Sequence, residues 1–188
     1  MSGTQRSRLA VVWLATVLAM AGCHSAPATE SAASSAPTST ATASTASRTS
    51  AASREMVERA AVEAAYRRFW AVSWSIDKQP SARWRSILAS VATEPVLTRL
   101  VERTGLQVRD GITRYGQVIP HPTVSPINGA RTVTVGDCQD AHAAGQADRR
   151  TGEAKTVGVA RSPVVGTLVR GPDGVWRVSD IRYTEGTC

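Results

Sequence analysis

Ala65-Tyr66-Arg67-Arg68-Phe69-Trp70-Ala71-Val72-Ser73-Trp74 (residues 65–74) concentrates four of the chain's aromatic rings in ten positions. Extended upstream, Val62, Tyr66, Trp70 and Trp74 recur every four residues, and Phe69 widens the stripe. That spacing predicts a long amphipathic helix with an unusually aromatic C-terminal half. Ser53 is the expected N-cap, with Glu55 and Glu58 in the following turn. Downstream, Pro80 and Ser81 open a second helix in which Trp84, Ile87, Leu88 and Val91 keep helical spacing. Thr93-Glu94-Pro95 caps a third, with Leu97, Leu100 and Val101 inward and Gly105 as its stop.

After Gly105 the texture turns to β. Tyr115 to Ile127 carries Pro120, Pro122 and Pro126, so a strand there is an edge or a broken one. Asn128-Gly129 signals a hairpin turn, leading into Arg131 to Gln139, where Thr132 and Thr134 alternate with Val133 and Val135. Ala141 to Ala154 reads as a long exposed hairpin loop with a turn at Thr151-Gly152. Thr156 to Arg170 reads as a strand with a bulge or kink at Pro163. Pro172-Asp173-Gly174 turns the chain into a last strand over Val175 to Tyr183. Helices first and antiparallel strands after them give an α+β fold, with the helices packed on one face of a curved antiparallel sheet.

Upstream of that domain the sequence has two other characters. Arg6 and Arg8 precede an apolar run from Leu9 to Met20, an export pattern too short for a comfortable transmembrane helix. Met20-Ala21-Gly22-Cys23 resembles the bacterial lipoprotein box, which implies removal of residues 1–22 and palmitate-type acylation at Cys23. The alternative is an ordinary secretory signal cleaved near an Ala-x-Ala site, which leaves an odd thiol in an oxidising compartment. From His24 to Arg54 all residues except His24, Glu30, Arg48 and Arg54 are Ser, Thr, Ala or Pro. Such a segment buries too little apolar surface to offset ordering entropy, so residues 23–54 are read as the acylated Cys and a disordered linker. Its r.m.s. span is about 30 Å, and about 100 Å fully stretched. The folded domain is placed at 55–188.

Charge and cysteine usage narrow the function. The formal net charge is +7, or about +5 once Arg6 and Arg8 are set aside. The basic residues are scattered singly, at Arg67, Arg83, Arg99, Arg131 and Arg161 among others, without a stripe interleaved with aromatics. That argues against nucleic acid and for solubility near an anionic envelope surface. With Cys23 assigned to lipid, Cys138 and Cys188 remain as a pair. Their bridge would close a loop of roughly 50 residues and contribute about 4 kcal/mol in the chain-entropy account.

Taken together, Ala65-Tyr66-x-x-Phe69-Trp70, Pro80-x-x-x-Trp84, Val135-Gly-Asp137-Cys138-x-Asp140, Thr151-Gly152, Asp173-Gly174-x-Trp176-Arg177-Val178 and the terminal Cys188 resemble the nuclear transport factor 2-like superfamily. Within it they are most similar to secreted actinobacterial lipoproteins. The resemblance implies a cystatin-like cone and a disulfide between the mid-sheet and C-terminal cysteines. It spans ketosteroid isomerases, SnoaL-like polyketide cyclases, dehydratases and non-catalytic binding modules, so it does not decide function.

In such a cone Tyr66, Trp70, Trp74 and Trp84 are the candidate pocket-lining side chains, unless they are plain core. Asp137 alternates with Val133 and Val135; facing the cone it would be a partly desolvated general base, and otherwise a carboxylate hydrogen-bonded to backbone or to an Arg. Asp77 reads as a turn or cap residue. His24, His121 and His142 form no set, and no His-x3-His or Cys-x2-Cys spacing occurs, so neither metal nor cofactor is expected. No catalytic residue set emerges. The leading expectation is a lipid-anchored protein on the extracytoplasmic face of the cell membrane, binding a small apolar ligand or an envelope protein without catalysis. The alternatives are a SnoaL-like cyclase or isomerase, and a structural protein–protein interaction module. The oligomeric state is not legible.

Overall fold

Helix α1, which spans Ala41–Ser75, carries the aromatic stripe. The computed structural model describes residues 41–188, with side chains from residue 50 onward. The signal segment, Cys23 and residues 24–40 of the expected linker therefore lie outside the described residues. Helix from Ala41 replaces the disordered linker expected over the remainder of that stretch, and Ser53 is interior to α1 rather than its N-cap. Arg48, Ala51, Ala52 and Arg54 are good helix formers, and the helix runs back from its packed part across Ser and Thr positions that composition alone assigns to coil. Packing starts later. Residues 50–54 are exposed, Met56 and Val57 remain exposed, and Val62 is the first buried side chain.

Two 3-10 turns, Ile76–Lys78 and Ser81–Arg83, connect α1 to the short helix α2 (Trp84–Ala89). Helix α3 spans Val96–Arg109. Its start is held by Glu94, whose carboxylate accepts from the Thr98 N–H at 3.2 Å. Gly105 does not stop α3. A Cβ there would lie 3.9 Å from the Trp84 ring, so the glycine sits against α2, and the helix ends instead at Asp110-Gly111, where Gly111 takes φ +70°.

The strands are β1 (Ile112–Tyr115), β2 (Pro122–Val124), β3 (Thr132–Gln139), β4 (Gly145–Asp148), β5 (Ser162–Arg170) and β6 (Trp176–Tyr183). An antiparallel sheet runs β2-β3-β5-β6, and a second pairs β1 with β4. Of the stretch 115–127, whose prolines predict an edge or broken strand, only Pro122–Val124 is a strand beyond Tyr115, and it is the edge of its sheet. Asn128 and Gly129, at φ +48° and +72°, form the expected tight turn. The 141–154 segment is not an exposed loop. It supplies β4, and Ala144 and Ala147 are buried; its small residues allow a close approach that periodicity does not advertise. Residues 156–161 lie outside β5, and the irregularity in β5 falls at Thr167/Leu168 rather than Pro163, which sits next to the strand's start where proline is tolerated.

Helices and sheet share one core. Val62, Tyr66 and Phe69 of α1 are buried with Val133 and Val135 of β3, Val164 and Leu168 of β5, and Val178 of β6. Gly166, at the middle of β5, makes this docking possible: a Cβ there would lie 2.6 Å from the Tyr66 ring. Glu58 ties α1 to the sheet, accepting from Trp176 Nε1 at 3.1 Å and from Arg170 at 2.7 Å. The free edge of β6 is covered by residues 91–93 through hydrogen bonds between Val91, Thr93 and Val178. Cys138 and Cys188 are joined by a disulfide across a sequence separation of 50. Among the described residues no helix is long and apolar enough to cross a membrane.

Candidate functional site

Past Tyr66 the α1 stripe rotates away from the sheet, because a four-residue repeat drifts around a helix of 3.6 residues per turn. Trp70 and Trp74 thereby come, together with Phe69, to line a cavity of about 450 Å3 shared with α3 and the end of β6. Val96 and Leu100 of α3 and Ile181 and Tyr183 of β6 complete an apolar and aromatic wall. The size is that of a site for a small organic ligand.

Polar groups enter from one face of α3, where Arg99, Arg103 and Gln107 follow one another at four-residue spacing, and from Arg114 of β1 and Gln146 of β4. Among the described residues, none that lines the cavity is Asp, Glu, His or Cys. Arg99 is paired with Asp180 at 2.7 Å. Arg103 is exposed and, among the described residues, makes no hydrogen bond or ion pair. Arg114 is the opposite case, at 7% exposure. Its guanidinium donates to the Ser73 carbonyl at 2.6 Å, to Gln107 Oε1 at 2.6 Å and to Thr104 Oγ1 at 3.4 Å. It also lies 5.6 Å from the centroid of the Trp74 ring, within reach of a cation–π contact. Burial is the main influence lowering the Arg114 pKa, nearby Asp77 opposes it and Arg103 adds to it. An arginine keeps its proton regardless, so the site holds a buried positive charge whose hydrogen-bonding partners are neutral oxygens.

The residues singled out from sequence divide. Trp70 and Trp74 line the cavity. They also line a second one of about 480 Å3, completed by Arg67, Lys78 and residues 116–120. Tyr66, Trp84 and Asp137 line neither. Trp84 is core between α2 and α3, with Nε1 donating to the Gln79 carbonyl at 2.8 Å. Asp137 does share the buried face of Val133 and Val135, but that face looks at α1 rather than into the cavity. The Tyr66 hydroxyl donates to Asp137 Oδ2 at 3.1 Å, and the His121 N–H donates to Oδ1 at 2.6 Å. Burial pushes the Asp137 carboxyl above the usual carboxylate range, against the pull of those two donors and of Arg67. Burial likewise raises the Tyr66 hydroxyl well above its ordinary value.

Asp77 is more than a turn residue. It is buried in the first 3-10 turn, and its Oδ2 accepts from the Thr113 hydroxyl at 2.5 Å and from the Arg114 N–H at 3.2 Å, fixing the start of β1. Arg103, Gln107, Arg114, Ile181 and Tyr183 were missed as site residues. The signal for the first two was present, as a mixed apolar and basic face on α3 (Val96, Arg99, Leu100, Arg103, Gln107), but it reads equally well as a solvated edge.

No protein-family model matches the chain, and no curated protein matches it. Among solved structures, the chain is similar to the intermembrane space region of the chloroplast protein ARC6, at 14% identity and a TM-score of 0.42, over 61% of this chain and 90% of that one. It is also similar to a protein from Catenulispora acidiphila, at 14% identity and a TM-score of 0.45, over 68% of this chain and 93% of that one.

Proposed function

We propose that the protein is a lipoprotein held on the extracytoplasmic face of the membrane through acylated Cys23. Its domain, of the nuclear transport factor 2-like kind, binds a small, largely apolar ligand without transforming it. The observation that carries the binding reading is the cavity between α1, α3 and β6: about 450 Å3, walled by aromatic and aliphatic side chains, with no carboxylate, imidazole or thiol among its described lining residues. An acid–base enzyme would need a titratable group where the substrate sits; the described lining offers only the Tyr183 hydroxyl, whose pKa burial raises, and the buried carboxylate considered for that role, Asp137, is engaged with Tyr66 and His121 away from the cavity. The anchor rests on the lipoprotein box in the sequence and on the cysteine count.

The binding reading is tested with N-phenyl-1-naphthylamine, a neutral aromatic probe whose emission rises in apolar surroundings. The full-length chain carrying Cys23→Ser, which removes the acylation site, is the protein to titrate. Saturable binding is expected, weakened by about tenfold or more in Trp74→Ala, since an aromatic wall residue contributes roughly 1.5–3 kcal/mol when buried against a ligand. Absence of saturable binding, or equal affinity in the Trp74 variant, would remove the cavity as the binding site.

A further inference from the structure

We infer that the ligand of this cavity is an amphipathic organic anion, with its apolar body against the Trp70–Trp74 wall and one carboxylate- or sulfonate-type group held between Arg103 and Arg114. The inference rests on the ligand-binding reading above and specifies its chemistry. Among the described residues, three arginines line the cavity and no Asp or Glu does. Arg99 is paired with Asp180, a carboxylate that Arg182 shares, whereas Arg103 and Arg114 have no carboxylate partner at their guanidinium groups among the described residues.

Arg114 is the decisive residue. A guanidinium taken out of water costs several kcal/mol unless an anion compensates it. Here the three hydrogen bonds from its side chain all go to neutral oxygens. Asp77 reaches its backbone N–H and helps only through space. Arg103 stands near enough to disfavour the Arg114 charge, and its own fork of donors is unengaged among the described residues. An anionic group between the two would be attracted by both and offset one of the two charges, and a planar carboxylate matches the geometry of a guanidinium fork. A cationic ligand would meet like charge at the same place, so the site discriminates by repulsion as well as by attraction. The aromatic and aliphatic wall then sets the other half of the requirement, since a small hydrated anion alone would leave that surface unused.

The test compares two probes that share one body and differ by one charge: 8-anilinonaphthalene-1-sulfonate and N-phenyl-1-naphthylamine. Both are titrated into the full-length Cys23→Ser chain. The sulfonate is expected to bind about tenfold tighter, the scale of a charge-assisted hydrogen bond, and the preference should shrink at high salt. Adding Arg103→Gln should bring the affinity ratio towards one, Arg103→Lys should retain part of it, and Arg131→Gln, outside the cavity, should leave it unchanged. A ratio near one in the parent chain, or a ratio unmoved by Arg103→Gln, overturns the anion while leaving apolar binding in place. Failure of both probes to bind overturns the binding reading and this inference with it.

Discussion

The carboxylate of Asp137 accepts two hydrogen bonds yet is only 6% exposed, and burial lifts its pKa above the usual range. An acid whose folded-state pKa exceeds its unfolded value contributes stability below the unfolded pKa. That contribution is lost as pH rises through the folded value. The Asp137→Asn variant can keep both contacts, with its carbonyl facing the His121 N–H and its amide facing the Tyr66 oxygen, while removing the buried charge. Urea unfolding from pH 4 to pH 8 should show the variant gaining on the parent as pH rises, by on the order of 1 kcal/mol at pH 7. Parallel curves would mean that the carboxylate is not penalised. The burial of Asp137 was legible from alternation with Val133 and Val135. What it faces was not, because alternation sorts a strand into two faces without saying which element covers either. Tyr66 and Trp70 show the same limit: they are one turn apart in the sequence pattern, but only Trp70 reaches the cavity.

At the scale of elements, α1 lies on the sheet only because β5 is bare at its centre. Gly166 pairs with Val135 on one side and Ile181 on the other, and a Cβ would meet the Tyr66 ring at 2.6 and 3.3 Å and the Ile181 side chain at 3.4 Å. Both neighbours are held by packing, so neither gives way cheaply. Gly166→Ala is expected to cost about 1–3 kcal/mol, the range for overpacking a well-filled core, whereas Gly136→Ala should cost less, since its nearest contact is an ordinary 3.9 Å to the Thr123 carbonyl. Equal midpoints for the two variants in thermal unfolding would contradict this account of the docking. The aromatic part of helix α1 and strand β3 were legible because each repeats a periodic pattern over many residues, and β6 because the Pro172-Asp173-Gly174 turn marks its start. Pairing of β4 with β1 was not, since Gly145 and its small neighbours carry neither period. Likewise Gly105 resembles a helix stop, and only its contact with Trp84 shows it to be a packing residue.

For the whole molecule the two ends of the chain matter most. The Cys138–Cys188 disulfide ties the middle of the sheet to the C-terminus and closes 50 residues, contributing about 4 kcal/mol in the chain-entropy account. If Cys23 carries the lipid, Cys23→Ser should move the protein from the membrane fraction to the soluble one or leave it unprocessed. Unchanged membrane partitioning of processed protein would defeat the anchor. The sequence alone was enough for the α+β class, the helices-then-strands order, the Asn128-Gly129 and Pro172-Asp173-Gly174 turns and the partner of Cys138. Each of these depends on local periodicity, on backbone angles that few residues adopt, or on counting thiols. Tertiary structure decided the site. Arg103 and Arg114 lie on different elements, each looks like an ordinary surface charge in the sequence, and only the approach of α3 to β1 beside Trp74 brings both to the lining of one cavity. Their meaning is electrostatic, and the cost of a charge is set by how much water and which neighbours the folded chain leaves around it.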